Sequence, residues 1–190
     1  QAALFGKVWL RGTRCATEET IEAGFDQGIF VDLLPYDALS SDPAMAAKQR
    51  RDCRFWQSVS YLSHAKSIVV PHKGALGAIE RAACGAAHLA ARGLYSPEKI
   101  VSRFNKAATC GNDPSLASDD LVVMAYATYE PYARSMMLPT STVTFEGCEL
   151  PAPADPEAFL RQLYGEWQKL PPVEARRNHA PDELDFGPYA

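Results

Sequence analysis

The sequence predicts an α+β fold, because β-rich apolar runs at both ends of the chain flank segments whose apolar residues recur at helical spacing. From Phe5 to Leu10 apolar and polar positions mix as in a strand, and Arg11-Gly12 supplies the turn that follows. The run from Gly28 to Leu34 is almost unbroken in β-forming residues and closes at Pro35, which predicts a second, buried strand. Ser41-Asp42-Pro43 is a helix start, a capping residue placed before a proline at the first helical position, and the helix is expected to run to about His64. Leu76, Ile79, Ala83, Ala87 and Ala90 predict another helix over 74–92, stopped by Gly93. Ser96-Pro97-Glu98 opens a third, with Ile100, Val101, Phe104 and Ala107 on one face and Gly111 as its end. Strands are expected over 121–126 and 141–145. Asp155-Pro156-Glu157 starts the last helix, in which Phe159, Leu160, Leu163 and Trp167 share a side until Pro171-Pro172. The polar tail, 173–190, reads as an extended surface segment.

Size and composition narrow the classes. At 190 residues the chain can bury one sizeable core, and 47% apolar against 22% charged residues is ordinary globular usage. A net charge of -4 without a basic stripe makes nucleic acid an unexpected partner. The five cysteines stand singly and in odd number, which fits a reducing compartment. Apolar runs such as Ser67 to Val70 are far shorter than the roughly 20 residues that span a bilayer. The expected location is therefore cytoplasmic. Because Gln1 is not a methionine and a strand follows at once, the chain is expected to begin inside a domain.

Several residues suggest chemistry. Asp32 is a carboxylate in the middle of an apolar strand, which is costly unless it is paired or binds a metal. A cap on a neighbouring amide or a pair with an arginine would satisfy it equally. Asp37, just past Pro35, is either a site residue or a cap on the turn at Ala38-Leu39. Lys7 could direct its ammonium at a phosphate or stand solvated on an outward strand face. Thr13, after the turn, has a structural and a site reading. Tyr164 and Trp167 could stack on a base or sugar, but their spacing beside Leu160 and Leu163 favours packing in the core. His179, with Arg176 and Arg177 before it, could serve a phosphate or lie exposed in the tail. His64, His72 and His88 near Cys53 and Cys84 match no zinc spacing.

Three ordered blocks go further. Phe5 to Thr13 is similar to an "F-x-K-h-x-x-x-x-T" strand, and Gly28 to Asp37 resembles a "G-h-F-h-D-h-F-P-h-D" strand. Phe145-Glu146-Gly147, Leu150-Pro151 and Tyr164-Gly165-Glu166 before Leu170-Pro171-Pro172 look like the closing signature of the LicD family of phosphotransferases, relatives of the fukutin-related proteins. The resemblance covers nearly the whole chain. It implies a nucleotidyltransferase-like (polymerase-beta-type) fold, a small mixed sheet packed with several helices, over 1–172, with 173–190 as a C-terminal tail. It also implies transfer of a phospho-alcohol, phosphocholine- or phosphoribitol-like, from a CDP-linked donor to a cell-surface glycan hydroxyl. Mg²⁺ or Mn²⁺ would assist, and membrane-associated glycan machinery at the inner membrane face would be a partner. On this resemblance Asp32 is a metal ligand and catalytic residue, while Lys7, Thr13, Asp37, Tyr164 and His179 bind the donor.

The family's G-S/T-x-L-G turn and D-D-D-x-D cluster do not occur in the chain. Glu18-Glu19 and Asp119-Asp120 are adjacent pairs, which do not chelate from one strand face. The expectation is a C-terminal portion of the family's domain, with a non-catalytic nucleotide- or glycan-binding module as the alternative.

Overall fold

A computed structural model of the chain describes residues 4–22, 24–64, 72–126, 129–176 and 180–190. The chain is a mixture of helices and small antiparallel sheets. In order it forms β1 (Gly6–Trp9), β2 (Arg14–Ala16), α1 (Glu18–Glu22), β3 (Phe30–Leu33), β4 (Asp37–Ser40), α2 (Pro43–His64), α3 (Gly74–Leu94) and α4 (Pro97–Ala108). There follow β5 (Ala117–Val122), β6 (Tyr132–Ala133), α5 (Arg134–Met137), β7 (Ser141–Phe145), β8 (Cys148–Ala152), α6 (Pro156–Tyr164) and β9 (Glu183–Asp185).

Local chemistry explains the helix starts. Asp42 Oδ1 accepts from the amides of Ala44 and Met45 at 2.8 and 2.9 Å, so the first turn of α2 has its unpaired donors satisfied. Ser96 does the same for Lys99 on α4, and Asp155 for Ala158 on α6, in each case ahead of a proline. α3 runs through Gly93 rather than stopping there. α6 ends earlier than expected, because Gly165 turns the backbone to a φ of +67°. Trp167 therefore lies outside the helix.

The core sits where α2 and α4 pack on the three-stranded sheet β4-β5-β6. Leu39, Cys53, Phe104, Ala108, Val122 and Met124 form its centre, and a second cluster joins Val59, Ala91 and Ile100 between α2, α3 and α4. Burying such side chains contributes about 1.5–3 kcal/mol each for the larger ones. Gln49 ties the layers together. Its Oε1 accepts from the Ser40 amide at 3.1 Å, and its Nε2 donates to the carbonyls of Ala38 (3.0 Å) and Ala108 (2.7 Å). Gly111 lies so close to β4 that an added Cβ would fall inside the Ala38 carbonyl, which only glycine tolerates.

Several expectations change. The strands do not join into one mixed sheet: among the described residues every pairing is antiparallel, and the strands form three two-stranded ribbons and one three-stranded sheet. The buried strand is β4, not the apolar run before it. Among the described residues β3 pairs only with β1, and Val31 and Leu33 are 65% and 53% exposed. The strand expected over 121–126 lies earlier, at 117–122, because Met124–Tyr126 winds into a 3-10 turn. The tail is exposed but not detached. β9 pairs antiparallel with β2, Asp182 Oδ2 accepts from the Glu18 amide at 2.7 Å, and Gly187 packs against the Gly12 carbonyl. No described helix is long and apolar enough to cross a membrane.

Candidate functional site

The β1-β3 ribbon sets Lys7 directly opposite Asp32. Cross-strand partners have their side chains on one face, so the ammonium reaches the carboxylate, Nζ to Oδ1 at 2.6 Å. The same ammonium lies 3.5 Å from the centroid of the Phe30 ring and 5.5 Å from that of Phe5, within cation–π range of both. The Lys7 side chain is only 12% exposed against 36% for Asp32. Asp32 thus stands on an open ribbon rather than in a buried strand, and its partner is a lysine. Its Oδ2 keeps no hydrogen-bond partner among the described residues.

Phe5 leads on to Tyr126, ring centroids 6.1 Å apart, and Tyr126 stacks on Tyr129 at 5.2 Å and 13°. These two tyrosines wall a groove of about 430 Å³ together with Tyr36, Tyr132, Phe159 and Tyr164. Tyr132 stacks on Phe159 at 5.1 Å and meets Tyr36 edge-on at 5.9 Å. Glu130 and Gln162 are polar members of the wall, and Glu130 has no ion-pair partner among the described residues. Partial burial raises the Tyr126 phenol, with the Asp32 carboxylate and Tyr129 adding to the rise. Burial likewise raises Tyr132 and Tyr36. The groove therefore offers neutral aromatic faces beside one carboxylate. Such a surface favours a cation of low hydration.

The other expected site residues fall differently. Tyr164 is not packed in the core: it ends α6 at 67% exposure and opens onto the groove. Thr13 makes structural contacts, donating to the Leu10 carbonyl at 2.7 Å and accepting from the Ile29 amide at 2.9 Å. Asp37 is not a turn cap. It begins the buried strand β4, is 7% exposed, and accepts from Asn112 Nδ2 at 2.8 Å. His179 and Arg177 lie outside the described residues. So Lys7, Asp32 and Tyr164 share one neighbourhood, while Thr13 and Asp37 serve the framework. Tyr126, Tyr129 and Glu130 were not singled out in the sequence, although the aromatic spacing of Tyr126, Tyr129 and Tyr132 was available as a signal.

A divalent cation needs several oxygen ligands. Among the described residues no group of three or more His, Cys, Asp or Glu could hold a metal ion, and Asp32 has Lys7 as its near neighbour rather than a second carboxylate. The described residues alone do not make a complete Mg²⁺ or Mn²⁺ site.

No family model matches the chain, and neither does any curated protein or solved structure.

Proposed function

We propose that this chain carries the donor-binding part of a nucleotidyltransferase-type phosphotransferase that moves a phospho-alcohol from a CDP-linked donor to a glycan hydroxyl. The three ordered sequence blocks support the reading, and one observation carries it: an aromatic groove with a carboxylate, Glu130, that has no ion-pair partner among the described residues, and that meets the Lys7–Asp32 pair at Tyr126. Of the two alcohols, the groove favours the phosphocholine type. A quaternary ammonium placed over tyrosine faces gains about 0.5–2 kcal/mol, and Glu130 adds a complementary charge. Ribitol, being neutral, gains neither.

Phosphoryl transfer depends chiefly on positioning and on neutralising the charge of the transferred group. A divalent ion would supply that neutralisation, and Asp32 could offer it one oxygen, but the reading requires further carboxylates beyond those described. This chain's own residues would hold the alcohol between Tyr126, Tyr129 and Tyr164, while Lys7 fixes the direction of the Asp32 carboxylate. The reading also carries a place at the cytoplasmic face of a membrane, where lipid-linked glycans are assembled.

The Lys7–Asp32 contact and the lack of a described carboxylate cluster favour a second reading, a module that binds such a donor without turning it over. Incubation of the intact gene product with CDP-choline or CDP-ribitol, Mg²⁺ and a panel of envelope glycans separates the two. Release of CMP that is abolished by Asp32→Ala supports the enzyme. Saturable binding without CMP supports the module, and neither binding nor CMP rejects both.

A further inference from the structure

A second cavity, of about 500 Å³, lies on the other side of Tyr36, between the β4-β5 edge, α5 and the β7-β8 hairpin. Its volume is that of a small-molecule site. The floor and sides are apolar, from Leu121, Met137, Leu138, Pro151 and Pro153. Into this lining project Asn112, Arg134 and Thr140. The walls are held in place by hydrogen bonds of the Ala154 and Asp155 amides to the carbonyls of Met137 and Met136, and of the Ser141 hydroxyl to the Pro153 carbonyl.

Charge decides what such a cavity can take. Arg134 is half-buried, and its guanidinium has neither an ion pair nor a hydrogen bond among the described residues. A guanidinium carries five donors and is costly to desolvate unpaired. Among the described residues no carboxylate lines the cavity. Asp37, next to Ala38 of the lining, is buried and accepts from Asn112 Nδ2, while Asn112 Oδ1 accepts from the Ala38 amide at 2.8 Å. The aromatic groove across Tyr36 has the opposite sign, with Glu130 in its wall.

We infer that this cavity is a binding site for a small organic anion, a molecule whose apolar body rests on Met137, Leu138 and the prolines while a phosphate or carboxylate engages Arg134. The planar guanidinium fork matches either oxyanion. The inference does not depend on the phosphotransferase reading, which uses the groove beyond Tyr36.

Titration calorimetry with phenyl phosphate, benzoate, phenol and inorganic phosphate tests it on the full chain. Phenyl phosphate, benzoate or both should bind saturably, and whichever binds identifies the oxyanion. Arg134→Gln, checked by thermal melting to be folded, should weaken that binding at least tenfold and leave phenol unchanged. Arg134→Lys, which keeps the charge and loses the fork, should fall between and replaces the glutamine variant if that one does not fold. Absence of saturable binding by both organic anions overturns the inference. So does equal affinity in the parent and both variants, or inorganic phosphate binding as tightly as phenyl phosphate.

Discussion

Lys7 and Asp32 face each other across the β1-β3 ribbon with Nζ 2.6 Å from Oδ1, and the same lysine lies over the Phe30 ring. The pair is partly exposed, so solvent screens it, and its coupling is expected to be about 0.2–1 kcal/mol. A double-mutant cycle of Lys7→Met and Asp32→Asn by denaturant unfolding measures this. A coupling of several kcal/mol would mean that the ribbon is far more buried than the geometry gives.

The aromatic groove predicts a preference for charge. Tyr126→Ala and Glu130→Gln should each weaken phosphocholine binding by about tenfold or less, in line with the worth of one cation–π contact. Binding of the neutral carbon isostere, 3,3-dimethylbutyl phosphate, should be unaffected by Glu130→Gln. Fluorescence or calorimetric titration reads both.

Gln49 is 2% exposed and makes three hydrogen bonds, to Ser40, Ala38 and Ala108. Gln49→Leu leaves a buried amide and two carbonyls without their partner, at about 1–3 kcal/mol for each group that water cannot reach. A loss of at least about 2 kcal/mol in urea unfolding is expected, with the slope unchanged.

Burial pushes the Cys53 thiol up to about 12, with Asp37, Cys110 and Asp52 adding repulsion. The folded value lies above the unfolded one, so the stability it contributes is full below about pH 9 and is lost as pH rises toward 12. Cys53→Ala should flatten the alkaline fall of the melting temperature over that window, though at some cost at neutral pH. At pH 8 a thiol reagent should modify the exposed Cys148 first, and Cys53 only after unfolding.

The helices were legible because their signals are local. Asp42, Ser96 and Asp155 cap turns within three residues of themselves, and the following prolines fix the first helical position. Burial of the strands was not legible. The apolar run over 28–34 reads as buried, yet among the described residues β3 finds only β1 as a partner, whereas the plain segment Asp37–Ser40 is covered because β5 pairs with it from far along the chain and Gln49 of α2 closes on it. The β2-β9 pairing joins residues more than 150 positions apart, and three residues of strand leave no periodicity to read. At the site, Asp32 and Lys7 were legible as unusual residues, but their contact was a matter of register. Helical spacing beside Leu160 and Leu163 reads Tyr164 as core, but α6 buries none of its residues, and Tyr164 is 67% exposed in the wall of the groove.

The most direct test of the proposed function is the rate of CMP release by the intact gene product, with Mg²⁺ and acceptor glycans, from CDP-choline and from the same donor carrying 3,3-dimethylbutanol. CMP is expected from CDP-choline, with the donor whose alcohol has no charge slower by about tenfold, the worth of the lost cation–π contact. No CMP from either donor, or equal rates from both, would contradict it.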